Sequence, residues 1–379
     1  MIYLDNNATT AVDPEVCDAI HASLKRETGN PSSVHLPGRK VKEAIDRHRR
    51  SVADLIGCRP EEIFFTSGGT ESNNLALAGA AAAKGSGHII ISAIEHPSVV
   101  NVCRHLEMRG FRVSQAPAGP GGVVDPEGIV RALRDDTFLI SVMHSNNETG
   151  VLQPIDDIAA LSRGRGILFH TDAAQSAGKT SFTVGRDVDM ATIVSHKFYG
   201  PKGIGALFIR SGTPVNPILF GAGQELGMRP GTENTGGIAG LGKACEIAVR
   251  DMQRRITRTR HLRDLLYHSL QSRLPDASIN GEASPRLSNT LSLRIPGIHG
   301  HHLVESLKDE VAFSAGSACH AGLASPSGVL KHMGLTDEEA LSTVRLSVGK
   351  DDTDADMVTA ADLIAGAVSA LRRNPPKLT

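Results

Sequence analysis

Tryptophan is absent from this 379-residue chain, and tyrosine occurs only three times. With aromatics at 3% there is little material for stacking nucleic-acid bases. An excess of positive charge is missing as well. The formal net charge of -1 gives no sequence-wide attraction to nucleic acid or to an anionic membrane, so direct contact with either is not expected. No segment approaches the roughly 20 apolar residues of a bilayer span. The opening MIYLDNNATTAVDPEV has no basic stretch followed by an apolar run, so no signal peptide is expected and the expected compartment is the cytoplasm. Cysteine is scarce and scattered over Cys17, Cys58, Cys103, Cys245 and Cys319. No pair has zinc-ligand spacing, so neither a metal site nor a disulfide framework is expected. The G-x-G-x-x-G and Walker patterns are also missing, which disfavours a dinucleotide cofactor. No internal repeat stands out.

What is present reads as an α/β protein. A hydrophobic content of 40% and a charged content of 21% suit a real core. PEVCDAIHASLKR and GRKVKEAIDRHRRSVADLIG carry apolar residues at helical spacing. EIFFTS, HIIISAIEH, TFLISVMHSNNE, ILFHTDAAQ, MATIVSHK and GALFIR are short apolar runs of the kind buried on both faces of a parallel sheet. After about Arg254 the character changes. RRITRTRHLRDLLYHSLQSRL reads as a basic amphipathic helix with a solvated face, and RLSNTLSLRIPG as an edge strand. The expected division is a large α/β domain over 14–255, and a smaller α+β domain from 1–13 with 256–379. The terminal RRNPPKLT is expected to fray.

Three stretches carry candidate chemistry. In FFTSGGTESNNLALAG a strand ends, Gly68 and Gly69 allow a tight turn, and a helix opens at Thr70. Its free N–H groups form an anion site or, equally, a plain capped helix start. In FHTDAAQS, Asp172 ends an apolar strand, where a carboxylate either caps a helix or holds a cationic ring nitrogen. In IVSHKFYGPKG, Lys197 ends another apolar strand before a tight turn; a lysine depleted of water there becomes a nucleophile, whereas a solvated one is inert. Together the three match what pyridoxal phosphate needs from a protein. Cys17, Cys58, Cys103 and Cys245 lie in helix-like, partly apolar stretches and read as structural. Cys319 differs: SAGSACHAGLASPSG offers it almost nothing to pack against.

The ordered motifs YLDNNATT, GNPSSVH, TSGGTESNN, EHPSV, NNETG, HTDAAQS, SHKFYGPKG, GMRPGTEN, SAGSAC and RLSVG run nearly end to end. On these residues the chain resembles the class V, aminotransferase-like cysteine desulfurases of the NifS/IscS kind, with selenocysteine lyases as close relatives. The resemblance implies the pyridoxal-phosphate-dependent aminotransferase fold type I and a homodimer. It implies a Schiff base to the cofactor on Lys197, Asp172 on the pyridine nitrogen, His96 stacked on the ring and helping to move protons, and Gln175 facing the phenolic oxygen. The phosphate is expected on Gly69, Thr70, Ser195 and His196, with Thr232 reaching in from the second subunit. Asn147 is expected to meet both cofactor and substrate, and Arg345 to hold the substrate carboxylate with its planar fork. Cys319, on a mobile loop at about 315–328, takes the sulfur of L-cysteine as a persulfide for an acceptor protein, and L-alanine leaves.

Some residues depart from the family pattern. Val194 stands where many desulfurases have a phosphate-binding serine, and the serine is Ser195, one position later. ACHAG and IVSHKFYGP lean toward the selenocysteine-lyase branch, and Lys350 stands where arginine is common after RLSVG, a position read as structural. A selenocysteine lyase is therefore carried as one alternative and a catalytically idle sulfur-transfer scaffold as another. An iron–sulfur scaffold, a tRNA-thiolation relay and a DNA sulfur-modification partner all stay open as acceptors.

Overall fold

The computed structural model describes residues 1–320 and 323–374, apart from the side chains of 317–320 and 323–324. A short strand β1 (Ile2–Tyr3) precedes helices α1 (Pro14–Arg26) and α2 (Leu36–Ile56). Alternating elements follow: β2 (Ile63–Thr66), α3 (Gly69–Lys84), β3 (His88–Ser92), α4 (Pro97–Met108), β4 (Arg112–Ala116), α5 (Pro126–Ala132) and β5 (Thr137–Ser141). Then come α6 (Ile155–Arg163), β6 (Leu168–Asp172), β7 (Met190–Val194) and β8 (Gly205–Ile209). The helix α7 (Thr235–Arg273) leads to β9 (Ser278–Ile279), β10 (Thr290–Arg294), α8 (Gly300–Ser306), β11 (Val311–Ala312) and β12 (Ser314–Ala315). The chain closes with β13 (Ser317–His320), β14 (Leu323–Pro326), α9 (Gly328–His332), α10 (Asp337–Leu341), β15 (Thr343–Ser347) and α11 (Asp354–Arg373).

Seven strands form one sheet in the order β2-β8-β7-β6-β5-β3-β4. Pairs from β4 through β7 are parallel, and β8 runs antiparallel to both of its neighbours. The six apolar runs of the sequence are the buried strands β2, β3, β5, β6, β7 and β8. They are buried on both faces because helices cover both sides, giving two apolar clusters. The polar strand β4 has no apolar run to announce it; it pairs only with β3 at the sheet edge, where part of its surface stays wet.

A third apolar cluster gathers Leu4 with Leu262, Leu266, Leu270, Leu293, Leu346 and Ile364 around the sheet β12-β15-β10-β9. β10 is therefore interior, not the edge strand that its sequence suggests. Its outer neighbour β9 has only two residues, too few to read as a pattern. The expected boundary at 255/256 falls inside α7, a continuous 39-residue helix. Ile238 to Ala248 of this helix enter the large core, and Leu262 to Leu270 enter the small one. Its basic run is not wholly solvated either, since Arg255 is buried over the Tyr199 ring at 4.8 Å. Val329, Leu330, Met333 and Ala340 join the large core although they lie after residue 256. The segment expected as a loop at 315–328 has the backbone of two paired strands, β13 and β14.

Two helical glycines separate propensity from packing. A Cβ on Gly242 of α7 meets His48 of α2 at 2.5–2.8 Å, whereas one on exposed Gly366 of α11 meets nothing within 4 Å. Alanine gains up to about 1 kcal/mol over glycine in a helix, while overpacking costs about 1–3 kcal/mol. Denaturant melts should show Gly366→Ala stabilising and Gly242→Ala destabilising; the same sign for both would refute the close contact.

Candidate functional site

Strands β3, β5, β6 and β7 run parallel, and the segments leaving their carboxyl ends converge on a cavity of about 320 Å³. In open α/β sheets this edge is where ligands bind, near the point where strand order reverses. Here the reversal lies between β3 and β5. The lining brings together Gly69, Thr70, His96, Asn147, Asp172, Gln175, His196, Lys197 and Arg345, nine of the residues singled out by sequence.

Lys197 lies in a short 3-10 turn after β7 and is only partly exposed. Its Nζ donates to the carbonyls of Asn7 at 2.8 Å and Ala8 at 2.9 Å. Burial and the Arg345 guanidinium pull the amine down to about 8, against the opposing pull of Asp172 and Asp5. An amine in that range is substantially neutral in mildly alkaline solution and nucleophilic. Asp172 is buried at the end of β6, where its Oδ1 accepts from the Ala174 N–H at 2.9 Å and its Oδ2 from Asn73 at 2.8 Å. Gln175 donates from Nε2 to the Asn7 carbonyl at 2.9 Å and accepts at Oε1 from Lys179 at 2.9 Å.

Helix α3 starts without a side-chain cap at Gly68, whose φ of +147° is glycine territory. The first-turn amides are therefore free of a capping side chain and carry the positive end of the helix dipole. Gly69 is needed for a second reason, because a Cβ there would sit 2.7 Å from Val194 Cγ2. Val194 thus gives this turn an apolar contact and no hydroxyl. Ser195 does not replace that hydroxyl. It is fully buried outside the cavity lining, its Oγ has no partner, and it is packed against the turn at Gly200. His196 does face the cavity; its Nδ1 lies 3.1 Å from Thr9 Oγ1, and burial with the nearby Lys197 holds its imidazole down to about 4.

Arg345, on β15, reaches in from the small sheet. It donates to Asp5 Oδ1 at 2.7 Å, Ser314 Oγ at 2.9 Å and the Asn147 carbonyl at 3.0 Å, while its buried Nε has no partner among the described residues. Thr232 is exposed and lies outside this lining. Cys319 falls on β13, but its side chain lies outside those described. Cys103 and Cys245 are buried and Cys58 is half-buried, whereas Cys17 is exposed and does not pack as the sequence suggested. Lys350 ion-pairs with Asp13 at 3.1 Å beside the Tyr199 ring.

Sequence reasoning missed Asn7, Asn73, Ser98 and Lys179. Asn73 follows Thr70 by three residues, a spacing that puts both on one helix face. Asn7 and Lys179 left no local signal, because only the returning N-terminal segment brings them together, Lys179 Nζ donating to Asn7 Oδ1 at 3.1 Å. The donor set fits pyridoxal phosphate. A water-depleted amine, a carboxylate, an amide donor and an uncapped helix start share one cavity, whereas Ser195 and Thr232 lie outside its lining.

Residues 2–358 match the family model described as aminotransferase class-V. The chain is 41% identical over 380 residues to cysteine desulfurase IscS of Dictyoglomus turgidum, covering 99% of this chain and 96% of that relative. The corresponding protein of Rickettsia felis is 40% identical over 381 residues, covering 99% and 93%. Among solved structures, a NifS-like protein superposes with a TM-score of 0.90 at 35% identity, over 98% of this chain and 100% of its own. SspA in complex with cysteine gives 0.79 at 35%, over 93% and 100%.

Competitive acylation of the cofactor-free protein across pH should place the Lys197 midpoint near 8, against about 10.4 for a free lysine. Removing a nearby positive charge eases protonation, so Arg345→Gln should move that midpoint upward. A wild-type midpoint near that of a free lysine would show that the amine is not held as described.

Proposed function

The chain belongs to the aminotransferase class-V family and is a pyridoxal-phosphate-dependent cysteine desulfurase, and from that premise we propose that Lys197, Asp172, His96, Arg345 and Cys319 carry its reaction. The observation that carries this reading is the meeting of a partly neutral Lys197 amine with Asp172 and Arg345 in one cavity. Bound pyridoxal phosphate supplies an electron sink for bonds breaking at the substrate's α-carbon. The uncapped start of α3 at Gly69 and Thr70, with His196, would hold its phosphate; Asp172 would hold its ring nitrogen, His96 would lie against the ring, and Gln175 Nε2 would donate to its phenolic oxygen. Asn147 lies against cofactor and substrate, and Arg345 pairs with the substrate carboxylate. Lys197 Nζ takes the α-proton, since a neutral amine beside that carbon is the base at hand.

Cys319 completes the chemistry. Its Sγ forms a bond to the substrate sulfur as the bond from that sulfur to the β-carbon breaks. The electron pair of that bond passes to the carbon fragment, which takes up the equivalent of the proton given up by the Cys319 thiol and leaves as L-alanine. The products are one persulfide and one amino acid, with no outside oxidant. A solved relative that holds cysteine supports L-cysteine as substrate. The names of the relatives favour the desulfurase over the selenocysteine-lyase alternative. Cys319, on β13, hands that sulfur on to a sulfur-acceptor protein. A cytoplasmic setting belongs to this reading, because persulfide transfer needs thiols kept reduced.

Lys197→Ala should lose the covalent cofactor bond and the activity together. Cys319→Ser should keep the cofactor absorption yet lose persulfide formation by roughly 10³-fold or more, the scale for a nucleophile acting as part of a unit. Mass spectrometry of the peptide containing residue 319 after incubation with cysteine reads this directly; an extra sulfur atom on any other cysteine would overturn the assignment.

A homodimer is the second part of the proposal. Val34, Phe220 and Leu226 are 88%, 89% and 83% exposed, an unusual apolar display for a water-facing surface. Pro31 and Gly223 to Leu226 line one shared hollow, and Glu225 and Leu226 hold positive φ with Arg49 gripping the buried Glu225 carboxylate. Thr232 lies a few residues further on and is exposed, and in this reading it reaches a second copy's phosphate site. Sedimentation should give a dimer for wild type and a monomer with weakened cofactor retention for Phe220→Asp with Leu226→Asp. A monomeric wild type would end this part of the reading.

A further inference from the structure

A polar chain runs from Asp172 to His96 through two residues to which the desulfurase reading gives no role. Asn73 donates one amide proton to Asp172 Oδ2 at 2.8 Å and the other to Ser98 Oγ at 2.8 Å. Ser98 Oγ lies 2.8 Å from His96 Nδ1, and the Ser98 backbone N–H donates to the same nitrogen at 3.1 Å.

The directions follow from which groups can give a proton. A carboxylate only accepts, so the end of the Asn73 amide facing Asp172 is its NH2. This orientation leaves the buried Asn73 Oδ1 without a partner, a cost tolerated because the reverse would set that oxygen against the carboxylate. The second N–H of Asn73 fills a lone pair of Ser98 Oγ, so the hydroxyl proton is left for His96 Nδ1. That nitrogen then accepts twice, and the single proton of the neutral ring sits on Nε2. Adding a proton at Nδ1 would break both bonds from Ser98.

His96 keeps an exposed surface, but withdrawal from water is the first influence on its ring and disfavours the cation; Asp172 favours it and Lys197 opposes it. Arg345 and His196 line the same cavity, and the adjacent Glu95 is a buried acid pushed up to about 8. The net direction for the imidazole is downward.

We propose that Ser98, held by Asn73, is a positioning residue that fixes His96 as its neutral Nε2–H tautomer, so that His96 acts in the reaction as a hydrogen-bond donor and leaves α-proton abstraction to Lys197. The consequence for turnover rests on the desulfurase reading, whereas the tautomer does not. Asn73 is a positioning residue one step further back, acting through Ser98.

The test is a long-range proton–nitrogen correlation spectrum of the holoenzyme with ¹⁵N-labelled histidine, the His96 signals being assigned by their loss in His96→Gln. Wild type should show Nε2 protonated and Nδ1 bare. Ser98→Ala removes one donor to the neutral ring, which should raise the His96 titration midpoint by roughly half to one pH unit. Ser98→Thr keeps the hydroxyl and should restore the wild-type midpoint. Cofactor absorption of each variant reports whether it is folded and loaded. A proton on Nδ1 in wild type overturns the proposal, and so do equal midpoints in wild type and Ser98→Ala. If Ser98→Ala does not fold, the wild-type tautomer decides alone. The spectrum needs no turnover, so a failed sulfur-transfer assay and a failed tautomer assignment are separate results.

Discussion

The withdrawal of the Lys197 amine from water is the constraint around which the molecule is arranged. Among the described residues no carboxylate touches its Nζ; the groups that do are the carbonyls of Asn7 and Ala8. Holding an amine this way is unfavourable unless those carbonyls are themselves immobile. Asn7 is accordingly pinned on every side. Its Oδ1 accepts from Lys179 and Asn289, its Nδ2 donates to Thr290 Oγ1 and the Asn147 carbonyl, and its own carbonyl also accepts from Gln175. The first turn of chain therefore ties the small sheet to the floor of the cavity. Lys179, buried behind it among cations, is pushed well below the ordinary lysine range, so a second positive charge is not forced beside the first.

Around this floor the charged groups divide by lobe. Asp172 and Lys197 belong to the large sheet, whereas Arg345 belongs to the small one and crosses to meet Asp5, Ser314 and Asn147. Both ends of the strand pair bearing Cys319 are fastened near the cavity by hydroxyls. Ser314 donates to Asp5 at one end, and Ser327 donates to the half-buried carboxyl of Glu148 at the other. Glu148 is raised by burial and adjoins Asn147 in the chain, so the residues proposed to meet substrate and those that root the cysteine segment are covalent neighbours. The sulfur chemistry proposed at 319 and the carboxylate binding proposed at 345 thus lie a few short contacts apart in the bonding network.

The residues that the sequence made legible share a property: each ends an apolar strand or opens a helix, so local pattern and chemical type coincide. Asp172, Lys197 and Gly69 are of this kind, and the long-range motif order extended the reading to His96, Gln175 and Arg345. Ser195 shows the limit. Its neighbours His196 and Lys197 face the cavity, but a 3-10 turn sends successive side chains in different directions, and the serine was turned into the protein beside Gly200. Arg255 was misread for a related reason, because a charged run looks solvated until another element, here Tyr199, is laid across it.

Sequence alone determined the alternating α/β order, the burial of the central strands, and which residue types stand at their ends, because periodicity and strand-end chemistry are local properties of a chain. Only the tertiary structure decided that β10 is interior, that one helix serves both cores, and that Asn7, Asn73, Ser98 and Lys179 meet the polar groups of the cavity. Those facts depend on contacts between residues up to hundreds of positions apart, and the direction of a hydrogen bond is set by all its neighbours at once.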